Sequence, residues 1–218
     1  MTKTAIIVGA TGLIGSQLLK QLVASDDFAQ IILFARRDIG CLSAKTTQHI
    51  IDFDHIQDYS SFIKGDVLFS CLGSTNSKTP DKALYKKVDL DYTLSIAEIA
   101  KQNGVEDFHV ISSIGADAHS SNFYLKLKGE IEDRVKKISF KSTHIYQPSL
   151  LLGKRPEFRV GERLAQVLMP LMSVFLIGSL RKYKPIKAEA VAAAMINQSL
   201  KNLKGVFIYP SNEIQKLA

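Results

Sequence analysis

Cysteine is scarce in this chain, and no spacing organises it. The 218 residues hold two, Cys41 and Cys71, far apart and without metal-ligand spacing. They read as buried or idle thiols in a reducing compartment. The five histidines (His49, His55, His109, His119 and His144) share no spacing either, so no metal site is expected. His109 and His144 fall in predicted strands and read as packed or surface residues. There is no internal repeat, low-complexity tract or clear linker. Thr2-Lys3 is followed by only five apolar residues, so no secretory leader is expected and the predicted location is cytoplasmic. Acidic residues thin out along the chain: residues 1–110 hold 11 Lys/Arg against 13 Asp/Glu, and residues 111–218 hold 17 against 8. An excess of one sign raises nucleic acid or an anionic membrane as partners. No nucleic-acid motif or aromatic-basic interleaving accompanies it, so no nucleic-acid partner is expected. The charge reads as a solvated basic surface that in part serves an anionic ligand.

What is present suits one sizeable core. Apolar residues make up 46% and charged residues 22%, ordinary values for a globular chain, and the length predicts a single domain over 1–218. Its most informative stretch is Thr4–Gly15. There, a short apolar run ends in Gly9-Ala10-Thr11-Gly12-Leu13-Ile14-Gly15, and an apolar-periodic helix follows at once. That is the shape of a dinucleotide-binding βα turn, here spaced G-x-x-G-x-x-G. Gly9 turns the chain out of the strand, Gly12 lets backbone approach a pyrophosphate, and Gly15 lets the helix pack closely. Thr11, Leu13 and Ile14 fill the rest of the cradle, and the helix N-terminus faces the phosphates.

Strand-like runs recur at Ala5–Val8, Ile31–Ala35, Thr47–Ile51, Val67–Leu72, Phe108–Ser113, Thr143–Gln147 and Gly205–Tyr209, with helical patterns over 15–25, 81–103, 121–138 and 188–200. Apolar strands alternating with helices predict an α/β Rossmann fold, a doubly wound parallel sheet with right-handed crossovers. A small C-terminal substrate-side subregion is expected over about 150–190, beyond the turn at Pro148. Within it, 164–180 carries no charge over seventeen residues and is interrupted by Pro170 and Gly178. It is slightly short for a spanning helix. It reads as a buried helix, an apolar substrate lining or a dimer contact. Arg163 before it and Arg181-Lys182 after it also allow a peripheral membrane contact.

Candidate chemistry sits at the predicted strand ends. The second ends in Arg36-Arg37, a guanidinium pair suited to a 2′-phosphate and therefore to NADPH over NADH. After the third come Asp52, able to accept from an adenine amino group, and Phe53, whose ring can pack beside the base. After the fourth, Cys71-Leu72-Gly73-Ser74 is small enough for ribose and phosphates to lie against backbone, or is a plain turn. The fifth ends in Ser112-Ser113. Eleven residues after Ser113 comes Tyr124, with Lys128 four further on and so on the same helix face. A free phenol titrates near pH ~10, and an adjacent ammonium favours the phenolate. With a serine to hold a carbonyl oxygen, the three make a proton donor beside a hydride donor.

These stretches, together with Val88-Asp89-Leu90-Asp91-Tyr92, Ser112–Ala116, Tyr124–Glu130 and Pro148–Leu152, resemble the short-chain dehydrogenases/reductases of the atypical, extended-like kind. Within that group the chain is similar to the Tat-interacting protein 2 type oxidoreductases and their bacterial relatives. The resemblance spans position 5 to about 162. It implies NADPH, Tyr124 as proton donor or acceptor, Lys128 on the nicotinamide ribose, and Ser113 rather than Ser112 as oxyanion partner. It also implies Pro148 at the cofactor, Leu151 near the nicotinamide, and an Arg159 that reaches the cofactor. The asparagine of the usual proton relay has no counterpart, since Asn76 lies too near a loop tip and Asp89 sits where that residue falls.

The expected function is an NADPH-dependent oxidoreductase that transfers hydride to a small, apolar carbonyl or activated double bond. One alternative is an NADPH-sensing regulatory protein without turnover. The other is an epimerase- or dehydratase-like enzyme, for which the short loop between Ser113 and Tyr124 and the small C-terminal region leave little room.

Overall fold

The computed structural model describes residues 2–40, 43–73, 81–153 and 178–218. The predicted strands form, with shifted ends: β1 (Lys3–Val8), β2 (Phe28–Ala35), β3 (Thr46–Ile50), β4 (Val67–Ser70), β5 (Asp107–Ile111), β6 (Ser142–Gln147) and, after a short parallel pair of β7 (Leu151–Leu152) with β8 (Ile186–Lys187), β9 (Gly205–Pro210). The main sheet has seven strands in the order β3-β2-β1-β4-β5-β6-β9, every pair parallel. Strand order reverses between β1 and β4. In open α/β sheets the crevice at that switch point, outside the carboxyl ends of the strands, is where ligands bind.

Alternation along the strands explains the two covered faces. Ile6, Val8, Leu68 and Val110 point to one face, which is covered by α3 (Tyr92–Gln102) and α4 (Phe123–Ile138) through Ile96, Leu127 and Ile131. Ala5, Ile7 and Phe69 point to the other, covered by α1 (Leu13–Ala24) and α5 (Ala188–Ser199) through Leu18, Leu22, Val191 and Met195. The small residues of α5, five of them alanine, leave its face flat enough to lie against both the sheet and α1.

The helix expected over 81–103 is broken. α2 (Lys82–Lys86) runs into a π turn at Lys87–Asp91 before α3 begins. The extra residue of a π turn shifts the helical phase. Asp89 and Leu90, both in this turn, are buried. Four elements escaped the sequence reading: the 3₁₀ stretches Phe53–Phe62 and Gly178–Tyr183, the β7–β8 pair and the terminal helix α6 (Ser211–Leu217). The strand expected to run through Ser113 stops at Ile111. The uncharged segment 164–180 lies outside the described residues up to 177. No helix among the described residues is long and apolar enough to cross a membrane.

Candidate active site

The crevice is built by close approach at the switch point. Gly9 has φ +79°, a conformation that side chains rarely adopt, and a Cβ there would stand 2.4 Å from the Cys71 carbonyl oxygen. The β1 turn and the end of β4 thus lie against each other. Across that turn, a Cβ on Gly15 would meet the Gly9 carbonyl oxygen at 2.2 Å. α1 then starts at Leu13 with no side-chain cap and no acid in its first turn, while Thr11 and Gly12 are exposed. Its first N–H groups face the crevice without a carboxylate competitor, the arrangement an anionic phosphate requires.

From this cradle a continuous path of contacts leads to the predicted catalytic pair. Gly73, exposed after β4, faces Asp89, with its Cβ position 3.8 Å from Asp89 Oδ1. Asp89 is 1% exposed and lies 2.9 Å from Lys128 Nζ, itself 4% exposed. Lys128 Nζ sits 5.9 Å from the centre of the Tyr124 ring. Tyr124, by contrast, is 38% exposed. The placement has a local cause: Asn122 caps α4 by accepting from Tyr124 N and Leu125 N, which sets Tyr124 in the first turn and Lys128 one turn below it. Burial works against the Lys128 ammonium. The charges of Asp89, Tyr124 and Glu132 outweigh it and raise the pKa above the ordinary lysine value.

The two serines have different surroundings. Ser112 is buried and its Oγ donates to Glu132 Oε1 at 2.5 Å. Ser113 is half-buried, and among the described residues its Oγ makes only a long 3.4 Å contact, with the neighbouring Ile114 carbonyl. α4 is pressed against the turn that follows them, where a Cβ on Gly129 would lie 2.1 Å from Ala118 N. On the far side, buried Pro148 accepts through its carbonyl from Ile114 N at 3.1 Å. Leu151 is half-buried in β7, and Gly153 meets Leu13. Pro148 and Leu151 therefore stand at the same end of the sheet as the glycine turn. Arg159, Ser74 and Asn76 lie outside the described residues.

The adenosine end differs from expectation. Arg36 and Arg37 are exposed after β2, and neither forms an ion pair among the described residues. Asp52 is occupied as a cap: it accepts from Asp54 N at 2.9 Å and lies 3.0 Å from His55 Nδ1. Phe53 is a core residue packed on Tyr92 at 5.2 Å between ring centres, so little of its ring is exposed toward the crevice. The reason is the 3₁₀ stretch, which turns Phe53 inward as its first residue. Cys71 belongs to the wall through its backbone. Burial pushes its thiol up to about 12, far from thiolate chemistry.

Two histidines without shared sequence spacing are brought together by strand register, His109 opposite His144. With Asp107, they are the one group among the described residues that places three metal-ligating atoms within 4.8 Å. The imidazoles stack at 4.3 Å between centroids and 10° between planes, and their Nε2 atoms lie 3.2 and 3.4 Å from the same Asp107 oxygen. Their Nδ1 atoms lie 3.0 Å from the Tyr146 and Tyr209 hydroxyls. Asp107 opens β5, at the end of the sheet opposite the glycine turn.

Residue-level reading missed Glu132 and Gln147. The signal was available for Glu132, since Tyr124, Lys128 and Glu132 recur at intervals of four and share a helix face.

Comparison with known proteins matches residues 9–168 to the NAD(P)H-binding family. The protein HTATIP2 of Rattus norvegicus is 37% identical over 75% of this chain and 69% of its own length. The protein FMP52, mitochondrial, of Candida albicans is 33% identical over 99% of this chain and 98% of its own length. Among solved structures, the Helicobacter pylori ADP-L-glycero-D-manno-heptose-6-epimerase superposes with a TM-score of 0.71 at 17% identity, covering 98% of this chain and 80% of that one. MoeE5 in complex with UDP-glucose and NAD gives 0.70 at 16%, covering 97% and 79%. At such identity the structural likeness concerns the fold. The cytoplasmic expectation is corrected by the relatives' names: FMP52 proteins of Candida albicans, Candida glabrata and Debaryomyces hansenii are all called mitochondrial. The chain belongs to the NAD(P)H-binding family, with HTATIP2 and the FMP52 proteins among its relatives.

Proposed function

We propose that the protein is an NADPH-dependent oxidoreductase that reduces a small carbonyl or activated double bond, with Tyr124 as proton donor. The observation that carries the reading is the contact path from Gly9 through Cys71, Gly73, Asp89 and Lys128 to Tyr124. It sets a phosphate cradle and an exposed phenol backed by a buried ammonium around one crevice.

The residues present fit a nicotinamide dinucleotide. The uncapped start of α1 and the Gly9–Gly15 turn would hold the pyrophosphate, and Arg36 and Arg37 a 2′-phosphate. Lys128 would hold the nicotinamide ribose, with Pro148 and Leu151 along the ring. When bound, the cofactor supplies the hydride. The protein supplies the rest. Ser113, which has no side-chain partner among the described residues, holds the substrate oxygen. Tyr124 gives its proton to that oxygen, and the Lys128 ammonium supports the negative charge left on the phenol oxygen. Asp89 takes the place of the usual relay asparagine and is bonded directly to Lys128.

The test is titration of the purified protein with NADPH and NADH, followed by nucleotide fluorescence, together with NADPH oxidation across a panel of small ketones, aldehydes and enones. Saturable binding with NADPH preferred, and turnover on at least one class, is the expected result. A protein that binds neither nucleotide overturns the reading.

A further inference from the structure

Glu132 is a buried carboxylate that the chemistry above does not use. It is 5% exposed and lies on α4 one turn beyond Lys128. A buried carboxylate loses its hydration and is costly unless other donors replace it. The donors here come from two different strands. Oε1 accepts from Ser112 Oγ at 2.5 Å and from Gln147 Nε2 at 2.8 Å. Ser112 follows the last residue of β5, and Gln147 is the last residue of β6. One oxygen atom therefore ties α4 to the carboxyl ends of both strands.

Those ends carry the site. Ser113 comes directly after Ser112, and Pro148 directly after Gln147. At the same level Ser112 N donates to the Tyr146 carbonyl at 2.7 Å and Ile114 N to the Pro148 carbonyl at 3.1 Å. On the helix side, Glu132 shares a face with Tyr124 and Lys128. Among the described residues no Lys or Arg nitrogen pairs with Glu132, so its fixed hydrogen bonds are to neutral donors on the two strand ends.

We propose that Glu132 is the positioning residue of this site: its carboxylate sets the helix that carries Tyr124 and Lys128 in register with the strand ends that carry Ser113 and Pro148. The purpose of that register rests on the oxidoreductase reading; the tie itself does not. Glu132→Leu removes the acceptor and leaves an apolar side chain in its place. Glu132→Gln keeps an oxygen at the same reach. Gln147→Leu cuts one arm at a half-buried position and guards against a Glu132→Leu chain that fails to fold.

Amide hydrogen exchange and NADPH titration of the full chain separate the outcomes. Exchange of peptides covering 112–114 and 147–149 is expected to speed up about tenfold in Glu132→Leu, with the rest of the sheet unchanged. In Gln147→Leu the gain is confined to 147–149. Glu132→Gln keeps the protection. NADPH affinity follows the same order, weakened about tenfold in Glu132→Leu and restored in Glu132→Gln. Wild-type protection in both leucine variants, or equal damage in Glu132→Gln and Glu132→Leu, overturns the proposal. If the wild-type protein binds no NADPH while the exchange pattern appears, the tie stands and the oxidoreductase reading falls.

Discussion

The Lys128 ammonium is bonded to the Asp89 carboxylate at 2.9 Å, with both groups out of solvent. Removing one partner of such a pair leaves the other charge buried and uncompensated, at a cost of about 3–5 kcal/mol. Asp89→Leu is therefore expected to lower unfolding free energy by that amount in urea. Asp89→Leu combined with Lys128→Met, which removes both charges, is expected to recover most of the loss. The double variant is still expected to fail in nucleotide binding, because the ammonium that would hold the ribose is gone. A single variant as stable as the wild type means that the pair is not energetically coupled.

Tyr124 is exposed enough to meet a substrate, and its ring lies over Lys128. Tyr124→Phe removes one hydroxyl and leaves the crevice shape intact. NADPH binding is expected to stay within about twofold, and turnover to fall by about 10²–10⁴, the usual worth of a positioned proton donor. Turnover that survives the change removes Tyr124 from the chemistry. A wild-type protein that binds NADPH but turns over no substrate of the panel favours the sensing alternative.

Much of this site is legible in the chain because it depends on local rules. The glycine turn, the alternation of strands and helices and the Tyr124/Lys128 interval of four all follow from short-range geometry. What escaped depends on contacts across the fold. The π turn that delivers Asp89 has no signature in Lys87–Asp91, and its burial makes sense only beside Lys128, thirty-nine residues later. Ser112 and Ser113 are chemically identical in sequence; Glu132, reaching from another element, distinguishes them. The ring of Phe53 reads as able to pack beside the base; the 3₁₀ stretch that turns it onto Tyr92 was not foreseen.

Arg36 and Arg37 stand in solvent after β2 and have no carboxylate to compete for them among the described residues. A planar, permanently charged pair in that position suits a phosphate dianion. Replacing both with alanine is expected to weaken NADPH by about 10–100-fold and NADH by less than about threefold. Isothermal titration with each nucleotide decides it. Equal weakening of the two means that these arginines do not read the 2′-phosphate.

The stacked pair at the other end of the sheet makes stability depend on pH. Burial, reinforced by the neighbouring His109, holds the His144 imidazole down to about 3 from its ordinary 6.5. The groups around it are Ser142, whose Oγ lies 2.6 Å from its Nε2, and Asp107, His109 and Tyr209 across the strands, with Lys3 acting from a distance. Because the folded state resists the proton that the unfolded chain accepts, stability is fully present above pH 6.5 and is lost as pH falls toward about 3. Between pH 7.5 and pH 5 the loss from this one group is about 2 kcal/mol. For a chain of this size that corresponds to about 4–8 °C in the thermal midpoint. His144→Phe keeps a flat ring against Phe207, which now stacks on His144 at 5.1 Å, and removes the titrating nitrogen. Melting curves from pH 7.5 to 5 are expected to fall less steeply for His144→Phe than for the wild type, by about that interval. Parallel slopes for the two proteins would assign the acid sensitivity to other groups.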